Sequence, residues 1–234
     1  MLETEDLHSY YGEAHVLAGV SLAVPAGRIV ALLGRNGMGK TTLIRSIMGL
    51  APPDLRSGSI RYKGEELRGL PPHRIAQKRI GLVPQGRRLF ASLTVMEHLT
   101  AMRARRKDSA WNVARIFELF PRLGERRQHR GSQLSGGERQ MLAVARALML
   151  DPELLLMDEP SEGLAPVMVQ HLEGIVARLK AAGLAILLVE QNLYSALAVA
   201  DEVYILETGR IVYHGSAADL QANRDTLYRY LGVR

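Results

Sequence analysis

The chain has 234 residues, of which 47% are hydrophobic and 23% are charged, a balance typical of a globular protein. It contains no cysteine, which excludes disulfide bonds and thiolate metal sites. The formal net charge of +6 favours partners that carry phosphate or other anionic groups. The start is acidic and polar, and no apolar run is long enough to cross a bilayer. We therefore expect neither a signal peptide nor a membrane-spanning helix.

The basic residues concentrate in two stretches, 103–107 and 122–130. A solvated helical face is one interpretation of such stretches, and a surface near nucleic acid or anionic lipid is another. Charge alone does not choose between these interpretations.

The first recognisable unit is a short strand, a glycine-rich loop and a helix. RIVALL (28–33) has the apolar character of a buried strand. The segment 41–50 then places its apolar residues on one helical stripe that ends near Gly49. We predict two further buried strands at 153–159 and 184–191, separated by a helix that ends at Gly183. A hairpin is predicted over 203–214. Alternating strands and helices predict an α/β core with a mostly parallel sheet.

The middle of the chain has a different pattern, helical from 86 to 150 without a convincing strand. Its candidate helices cover 96–106, 111–123 and 138–150. We interpret 1–234 as one domain. Its α/β core comprises 1–85 and 151–234, and 86–150 is an inserted helical lobe.

The glycine-rich loop GRNGMGKT matches the phosphate-binding pattern G-x-x-x-x-G-K-[ST]. Its glycines let backbone amides converge on an anion, and the start of the following helix adds a positive dipole end. The lysine can reach the β- and γ-phosphates, and the first threonine can bind Mg²⁺. The predicted nucleotide-binding residues of this loop are Gly34, Asn36, Gly37, Gly39, Lys40, Thr41 and Thr42.

Two acids follow the predicted strand ELLLMDE, at the end of a sheet strand where ligands usually bind. Asp158 is the predicted Mg²⁺ ligand, together with Thr41. Glu159 is the predicted base or orienter for an attacking water. A strand that simply ends in solvated acids is the alternative, and only the glycine loop makes the catalytic interpretation strong.

LSGGERQ precedes the third candidate helix of the lobe. A capping box explains Ser135 and Glu138, but it does not explain Gly136 and Gly137, which destabilise a helix and leave its amides bare. Bare amides at a helix start can bind an anion. The chain thus has two predicted phosphate-binding helix starts, about a hundred residues apart in sequence.

With GRNGMGKT, LSGGERQ and LLLMDEP in this order, the chain resembles the ATP-binding subunits of ABC transporters over nearly its whole length. The resemblance implies a P-loop ATPase fold with an N-terminal antiparallel β portion and an inserted α-helical lobe. It implies that Tyr11 stacks on adenine and that Gln85 joins the Mg²⁺ shell. It also implies a head-to-tail dimer in which each ATP lies between the glycine loop of one subunit and Ser135–Glu138 of the other.

Two positions depart from the family pattern. Gln191 stands where family members generally carry a histidine that contacts the γ-phosphate, and glutamine cannot become a cation near neutral pH. Ala165 replaces the usual acid after DEPSEGL. We therefore predict that Glu159 carries most of the hydrolytic work, with Gln191 in a positioning role and Lys40 binding the phosphates.

VPQGRRLF, DEPSEGLAP and LLVEQN further resemble importers of branched-chain amino acids and their urea and amide relatives. The implied function is ATP hydrolysis, with ATP and Mg²⁺, that drives transport through separate permease subunits. The implied location is peripheral, on the cytoplasmic face of the membrane. A second ATPase subunit, identical or not, and indirectly a solute-binding protein are implied partners, and no nucleic acid is expected.

Three rival functions stay open on the sequence. The first is a soluble ABC ATPase that acts on nucleic acid, which the basic stretches suit, although the fused second unit or coiled coil usual in such proteins is missing. The second is a small-molecule kinase, in which LSGGERQ and Gln85 have no role. The third is a module that binds ATP without turnover, against which Lys40 and Glu159 argue.

Overall fold

A computed structural model describes residues 1–102 and 109–222. The basic stretch 103–107 and the end of the first predicted lobe helix therefore lie outside the described residues. The strands are β1 (Leu2–Tyr11), β2 (Ala14–Val24), β3 (Ile29–Leu33), β4 (Asp54–Tyr62), β5 (Glu65–Glu66), β6 (Ile80–Val83), β7 (Leu154–Asp158), β8 (Ala185–Glu190), β9 (Glu202–Glu207) and β10 (Arg210–Ser216). The helices are α1 (Lys40–Ile47), α2 (Pro72–Gln77), α3 (Val95–Ala101), α4 (Val113–Leu119), α5 (Pro121–Glu125), α6 (Gly136–Leu148), α7 (Pro166–Ala181), α8 (Leu193–Leu197) and α9 (Ala217–Ala222).

A six-stranded sheet in the order β10-β9-β3-β8-β7-β6 forms the centre of the molecule. All its neighbouring strands are parallel except β10, which forms the predicted antiparallel hairpin with β9. Every residue of β3, β7 and β8 is buried, as expected for parallel strands covered on both faces. Because parallel strands end at the same edge, the loops after β3, β8, β7 and β6 are brought together.

A second, antiparallel sheet in the order β2-β1-β4-β5 covers one face of the central sheet. One apolar core lies between them, formed by residues of β1, β2 and α1 together with Val30 and Leu32 of β3. A second core on the opposite face combines α6 and α7 with Ile29 and Leu155. The predicted α/β class with an antiparallel N-terminal portion is confirmed.

The helical segment between β6 and β7 differs from its prediction at one place. The predicted helix 111–123 is two helices, because Phe120 leaves the helical conformation (φ −126°, ψ 72°) and α5 begins at Pro121. Proline lacks the N–H that a continuing helix needs and disfavours helical geometry in the residue before it. The prediction of one helix was wrong for this reason.

The last helix of that segment, α6, also packs on the central sheet. Its buried residues Leu142 and Val144 belong to the same apolar core as Val83 of β6 and Leu155 of β7. Packing is thus continuous across residue 150, and the lobe boundary at that residue stays a prediction. Within the two described ranges, no helix has both the length and the apolar character needed to cross a bilayer.

Candidate functional site

The glycine loop connects the end of β3 to the start of α1. A side chain at Gly34 would not fit, because its Cβ would lie 2.5 Å from the backbone oxygen of Leu206 in β9. Gly39 caps α1 with φ 106°, a left-handed conformation that other residues rarely adopt. These constraints hold the loop close to the sheet and direct its amides toward the edge where the strands end.

Lys40, the first residue of α1, lies almost wholly inside the site. Its Nζ donates to the backbone oxygens of Gly34 (2.8 Å) and Arg35 (3.0 Å). The same Nζ lies 2.9 Å from Glu159 Oε1, and the two side chains are only 3% and 8% exposed. The predicted phosphate-binding lysine and the predicted catalytic acid are therefore in direct contact.

Thr41 and Asp158, the two predicted metal ligands, also meet. The Thr41 hydroxyl donates to Asp158 Oδ1 over 3.1 Å. Burial raises the pKa of Asp158 above its usual value, and the neighbouring Glu159 raises it further, although Thr41 and Lys40 oppose this shift. Hydroxyl and carboxylate oxygens are the hard donors that Mg²⁺ prefers, so the residues present fit that ion.

Glu159 follows β7 with a φ of 47°, which is left-handed and uncommon for a residue other than glycine. This conformation turns its carboxylate toward Lys40 and toward the turn that follows β6. Gln85 in that turn donates from Nε2 to Glu159 Oε2 (3.3 Å) and to Glu162 Oε2 (3.0 Å). Gln85 therefore contacts the predicted catalytic acid Glu159 and, three residues further on, Glu162.

These groups surround a cavity of about 240 Å³. Most of the predicted loop residues line it, together with Gln85 and Glu159. Val16 also lines it, although no sequence motif pointed to that residue. Neither Tyr11 nor any residue of Ser135–Glu138 lines it. The lining residues are Val16, Asn36, Gly37, Gly39, Lys40, Thr41, Thr42, Gln85 and Glu159.

A neighbouring cavity of about 310 Å³ shares Glu159 and contains Gln191. Glu190, a buried acid that was not predicted as a site residue from the sequence, also lines this cavity. Glu190 accepts from the backbone N–H of Ser161 (3.0 Å) and of Gln191 (3.3 Å). Burial raises the pKa of Glu190, while these hydrogen bonds oppose the shift. Glu190 thereby joins the segment after β7 to the segment after β8.

The second predicted anion site starts α6. Ser135 caps the helix, its Oγ accepting from Glu138 N (3.2 Å) while Glu138 Oε2 accepts from Ser135 N (2.8 Å). The capping box is therefore present. Burial raises the pKa of Glu138, but the bonds from Ser135 and the charge of Arg126 outweigh it, and the net pKa is lowered.

The two glycines of this helix start have neighbours that the sequence analysis did not foresee. A Cβ on Gly136 would lie 3.3 Å from Arg87 Nη1, and one on Gly137 would lie 2.7 Å from Met168 Cε. A Cβ at either position would therefore meet the flexible end of a side chain of this chain, which is a mild constraint beside the predicted exposure of amides. Arg87 brings a guanidinium group directly to the predicted anion site.

Two further positions named from the sequence, Tyr11 and Ala165, line neither cavity. Tyr11 ends β1 and is 38% exposed, so its ring is open to a partner. Ala165 is the N-cap of α7 and provides no side-chain cap, since an alanine side chain has no hydrogen-bond acceptor. Among the described residues, no group of three or more His, Cys, Asp or Glu side chains forms a metal cluster.

A parallel sheet whose strand ends carry a glycine loop, a buried lysine and a threonine–aspartate pair defines a P-loop nucleotide-binding protein. Comparison with known proteins narrows this class, because a family model described as ABC transporter matches residues 17–162. The chain belongs to the ABC transporter family.

Its relatives include the high-affinity branched-chain amino acid transport ATP-binding protein BraG of Pseudomonas aeruginosa, with 47% identity over 99% of this chain and 100% of BraG. The probable branched-chain amino acid transport ATP-binding protein LivF of Archaeoglobus fulgidus is 37% identical, over 94% of each chain. The lipopolysaccharide export system ATP-binding protein LptB of Haemophilus influenzae is 36% identical, over 99% of this chain and 97% of LptB. Among solved structures, a nucleotide-free ATP-binding cassette from an ABC transporter aligns with a TM-score of 0.85 at 25% identity, covering 100% of this chain and 99% of the cassette.

Proposed function

We propose that this chain is the ATP-hydrolysing subunit of an ABC importer for branched-chain amino acids. The assignment of the cargo rests on the 47% identity to the BraG relative, which extends over 99% of this chain. The identity to the lipopolysaccharide-export relative is only 36%, so export is not favoured. The contact between Lys40 and Glu159 supports hydrolysis, since it joins a phosphate-binding cation to a base on one cavity wall.

The polar residues at and beside the cavity have distinct roles in the proposed hydrolysis. Lys40 and the loop amides around Gly37 and Gly39 bind the phosphates, and Glu159 accepts a proton from the attacking water. Thr41 and Asp158 would hold Mg²⁺, with Gln85 joining them. When bound, Mg²⁺ supplies positive charge that offsets the charge on the phosphate oxygens.

We propose that two ATPase subunits pair head to tail. The cavity around Lys40 is lined without Ser135–Glu138, so within one chain ATP in it would lack the second helix start. A second subunit would bring its own Ser135–Glu138 to that ATP, and Tyr11 would stack on the adenine. ATP then acts as the ligand that shifts the pair between open and closed states.

We propose permease subunits as the membrane partners, with this chain peripheral to the membrane at the cytoplasmic face. A solute-binding protein would act through the permease and would not touch this chain. A urea- or amide-type importer is the second candidate, because the motifs LLGRNG and VPQGR of this chain also resemble those of urea-type relatives.

The test is recovery of the tagged chain from detergent-solubilised membranes, followed by reconstitution of the copurifying membrane subunits in proteoliposomes. We expect ATP-dependent uptake of leucine, isoleucine or valine when the matching solute-binding protein is added. A matched preparation with Glu159→Gln serves as the control and should transport nothing. Uptake of urea or an amide in place of these amino acids would contradict the cargo assignment. Recovery with nucleic acid and no membrane subunit would contradict the transport function.

A further inference from the structure

The turn after β6 has an unusual backbone. Three consecutive residues have positive φ values: Gly86 at 79°, Arg87 at 66° and Arg88 at 39°. Left-handed conformations are unfavourable for side chains other than glycine and persist where surrounding contacts hold them. Two arginines in succession therefore call for contacts that keep this turn in place.

Arg87 makes those contacts on one side with the segment that follows Glu159. Its Nη2 donates to the backbone oxygens of Glu162 (3.1 Å) and Gly163 (3.4 Å). Nη2 carries two N–H donors, enough for both carbonyls, and the planar guanidinium group directs Nη1 to a different side. The turn is thus joined to the segment 159–163, which lies some seventy residues away in sequence.

The same guanidinium group lies beside the start of α6 with its other terminal nitrogen, Nη1. A Cβ on Gly136 would be 3.3 Å from Nη1, which is tighter than ordinary van der Waals contact. Glycine at this position lets the cation approach the first turn of the helix. Arg87 therefore lies between the segment 159–163 and the helix start that is proposed to bind the second subunit's ATP.

Gln85 engages the same segment from two residues earlier. Its Nε2 donates to the carboxylates of Glu159 and Glu162. Gln85 and Arg87 thus attach one turn to the segment 159–163 at two places. Gln85 contacts the catalytic acid Glu159, and Arg87, which also lies beside Gly136, contacts Gly163. Because only Gly86 separates the two residues, a movement of Gln85 would displace Arg87 as well.

We propose that Arg87 is a positioning residue that couples the state of one ATP site to the helix start of the other. It holds the 85–88 turn, the segment 159–163 and the start of α6 as one unit. Through this unit, nucleotide bound beside Lys40 and Glu159 orders the same subunit's Ser135–Glu138 for the ATP held by its partner. The proposal rests on the head-to-tail pairing proposed above, and it assigns Arg87 no contact with the reacting atoms.

The experiment compares Arg87→Ala, Arg87→Lys and the matched control Arg127→Ala, an exposed arginine of the same helical segment. Each is made in the wild-type chain and in a Glu159→Gln background. Four quantities are measured: ATP affinity of the single chain, ATP-dependent dimerisation, the kcat and KM of hydrolysis, and the thermal midpoint.

For Arg87→Ala we expect unchanged ATP affinity and thermal midpoint. Dimerisation in the Glu159→Gln background and the kcat of the active chain should each fall about tenfold, the typical worth of a charge-assisted hydrogen bond. Arg87→Lys should recover only part of the loss, because its single nitrogen cannot occupy the Nη1 position beside Gly136 and the Nη2 position at the two carbonyls together. Arg127→Ala should match its parent in all four quantities.

Normal dimerisation and kcat in Arg87→Ala would overturn the proposal. So would a parallel loss of thermal midpoint and ATP affinity, which indicates a merely structural role. If the Glu159→Gln parent does not dimerise with ATP, the proposed head-to-tail pairing is contradicted, and so is the coupling that rests on it. The parent's result thus distinguishes failure of the proposed function from failure of the inference.

Discussion

Lys40 Nζ lies 2.9 Å from Glu159 Oε1, in a pair whose side chains are 3% and 8% exposed. A buried ion pair contributes little net stability, but removal of one partner leaves an uncompensated charge. The pair therefore places both groups side by side at the cavity wall, where the proposed phosphate binding and proton transfer need them. Any ligand phosphate that binds Lys40 competes directly with Glu159 for the ammonium group.

Lys40→Ala should weaken ATP binding by about 100-fold, because it removes a charge-assisted contact to phosphate. It should also lower the free energy of unfolding by about 3 kcal/mol, since Glu159 loses its buried partner. Titration calorimetry and chemical denaturation measure these two effects. Lys78→Ala, which removes an exposed pair with Glu65, is the control and should bind ATP normally. Retained ATP affinity in Lys40→Ala would contradict the assigned role of the lysine.

Glu159→Gln should slow hydrolysis by about 100-fold or more while ATP binding persists, because glutamine cannot accept the proton from water. The ATP-loaded dimer should then accumulate. Steady-state phosphate release and analytical ultracentrifugation measure the two outcomes. Glu118→Gln, at an exposed position on α4, is the control. Normal turnover in Glu159→Gln would refute its assignment as the base.

Gln191→Ala should lower hydrolysis by the assembled transporter, because the residue lines a cavity with Glu159 and can donate a neutral hydrogen bond. Gln191→His should retain activity, and its kcat should become dependent on pH with a midpoint at about pH 6.5, the usual pKa of imidazole. The pH profile of kcat in wild type and both variants tests this directly. An unchanged rate in Gln191→Ala would remove Gln191 from the mechanism.

Asp201 should make stability depend on pH. It accepts from Ile29 N (2.8 Å) and pairs with Arg28 and Lys180. Burial raises its pKa, but Lys180, the Ile29 N–H and Arg28 together lower it below the usual value. A lowered pKa means that the unfolded chain binds the proton more tightly. The contribution of Asp201 is therefore fully present above the unfolded-state pKa and is lost as pH falls through the folded-state pKa.

Asp201→Ala should accordingly lower the free energy of unfolding by about 2 kcal/mol at pH 7, with the difference from wild type shrinking in acid below about pH 4. Urea denaturation at a series of pH values measures it. Asp54→Ala, an exposed carboxylate, provides the comparison. A difference that stays constant into acid would show that the ion pairs do not stabilise the fold.

The strand, loop and helix around Lys40 were predictable because glycine spacing and apolar runs encode them locally. The meeting of Thr41 with Asp158 followed from one added rule, that parallel strands end at one edge. The contacts of Arg87 with Glu162 and Gly163 could not be predicted, since they join an ordinary arginine to backbone oxygens far along the chain. The break before Pro121 was predictable, because proline lacks the N–H that a continuing helix needs. It was missed because the apolar residues keep a helical period across the proline.

The central claim is that each ATP lies between the glycine loop of one subunit and the Ser135–Glu138 helix start of another. Two inactive variants test it by complementation. Lys40→Ala disables the loop, and Ser135→Arg places a bulky side chain at the helix start. In a mixed pair, one composite site carries both defects and the other carries neither.

The measurement is the ATPase rate of the purified variants alone and mixed in equal amounts. Half of randomly formed pairs are mixed, and each mixed pair has one intact site of two. The account therefore predicts that the mixture recovers roughly a quarter of the wild-type rate, although each variant alone is inactive. A mixture as inactive as its components, with mixed pairs demonstrated by differential tagging, would contradict the account.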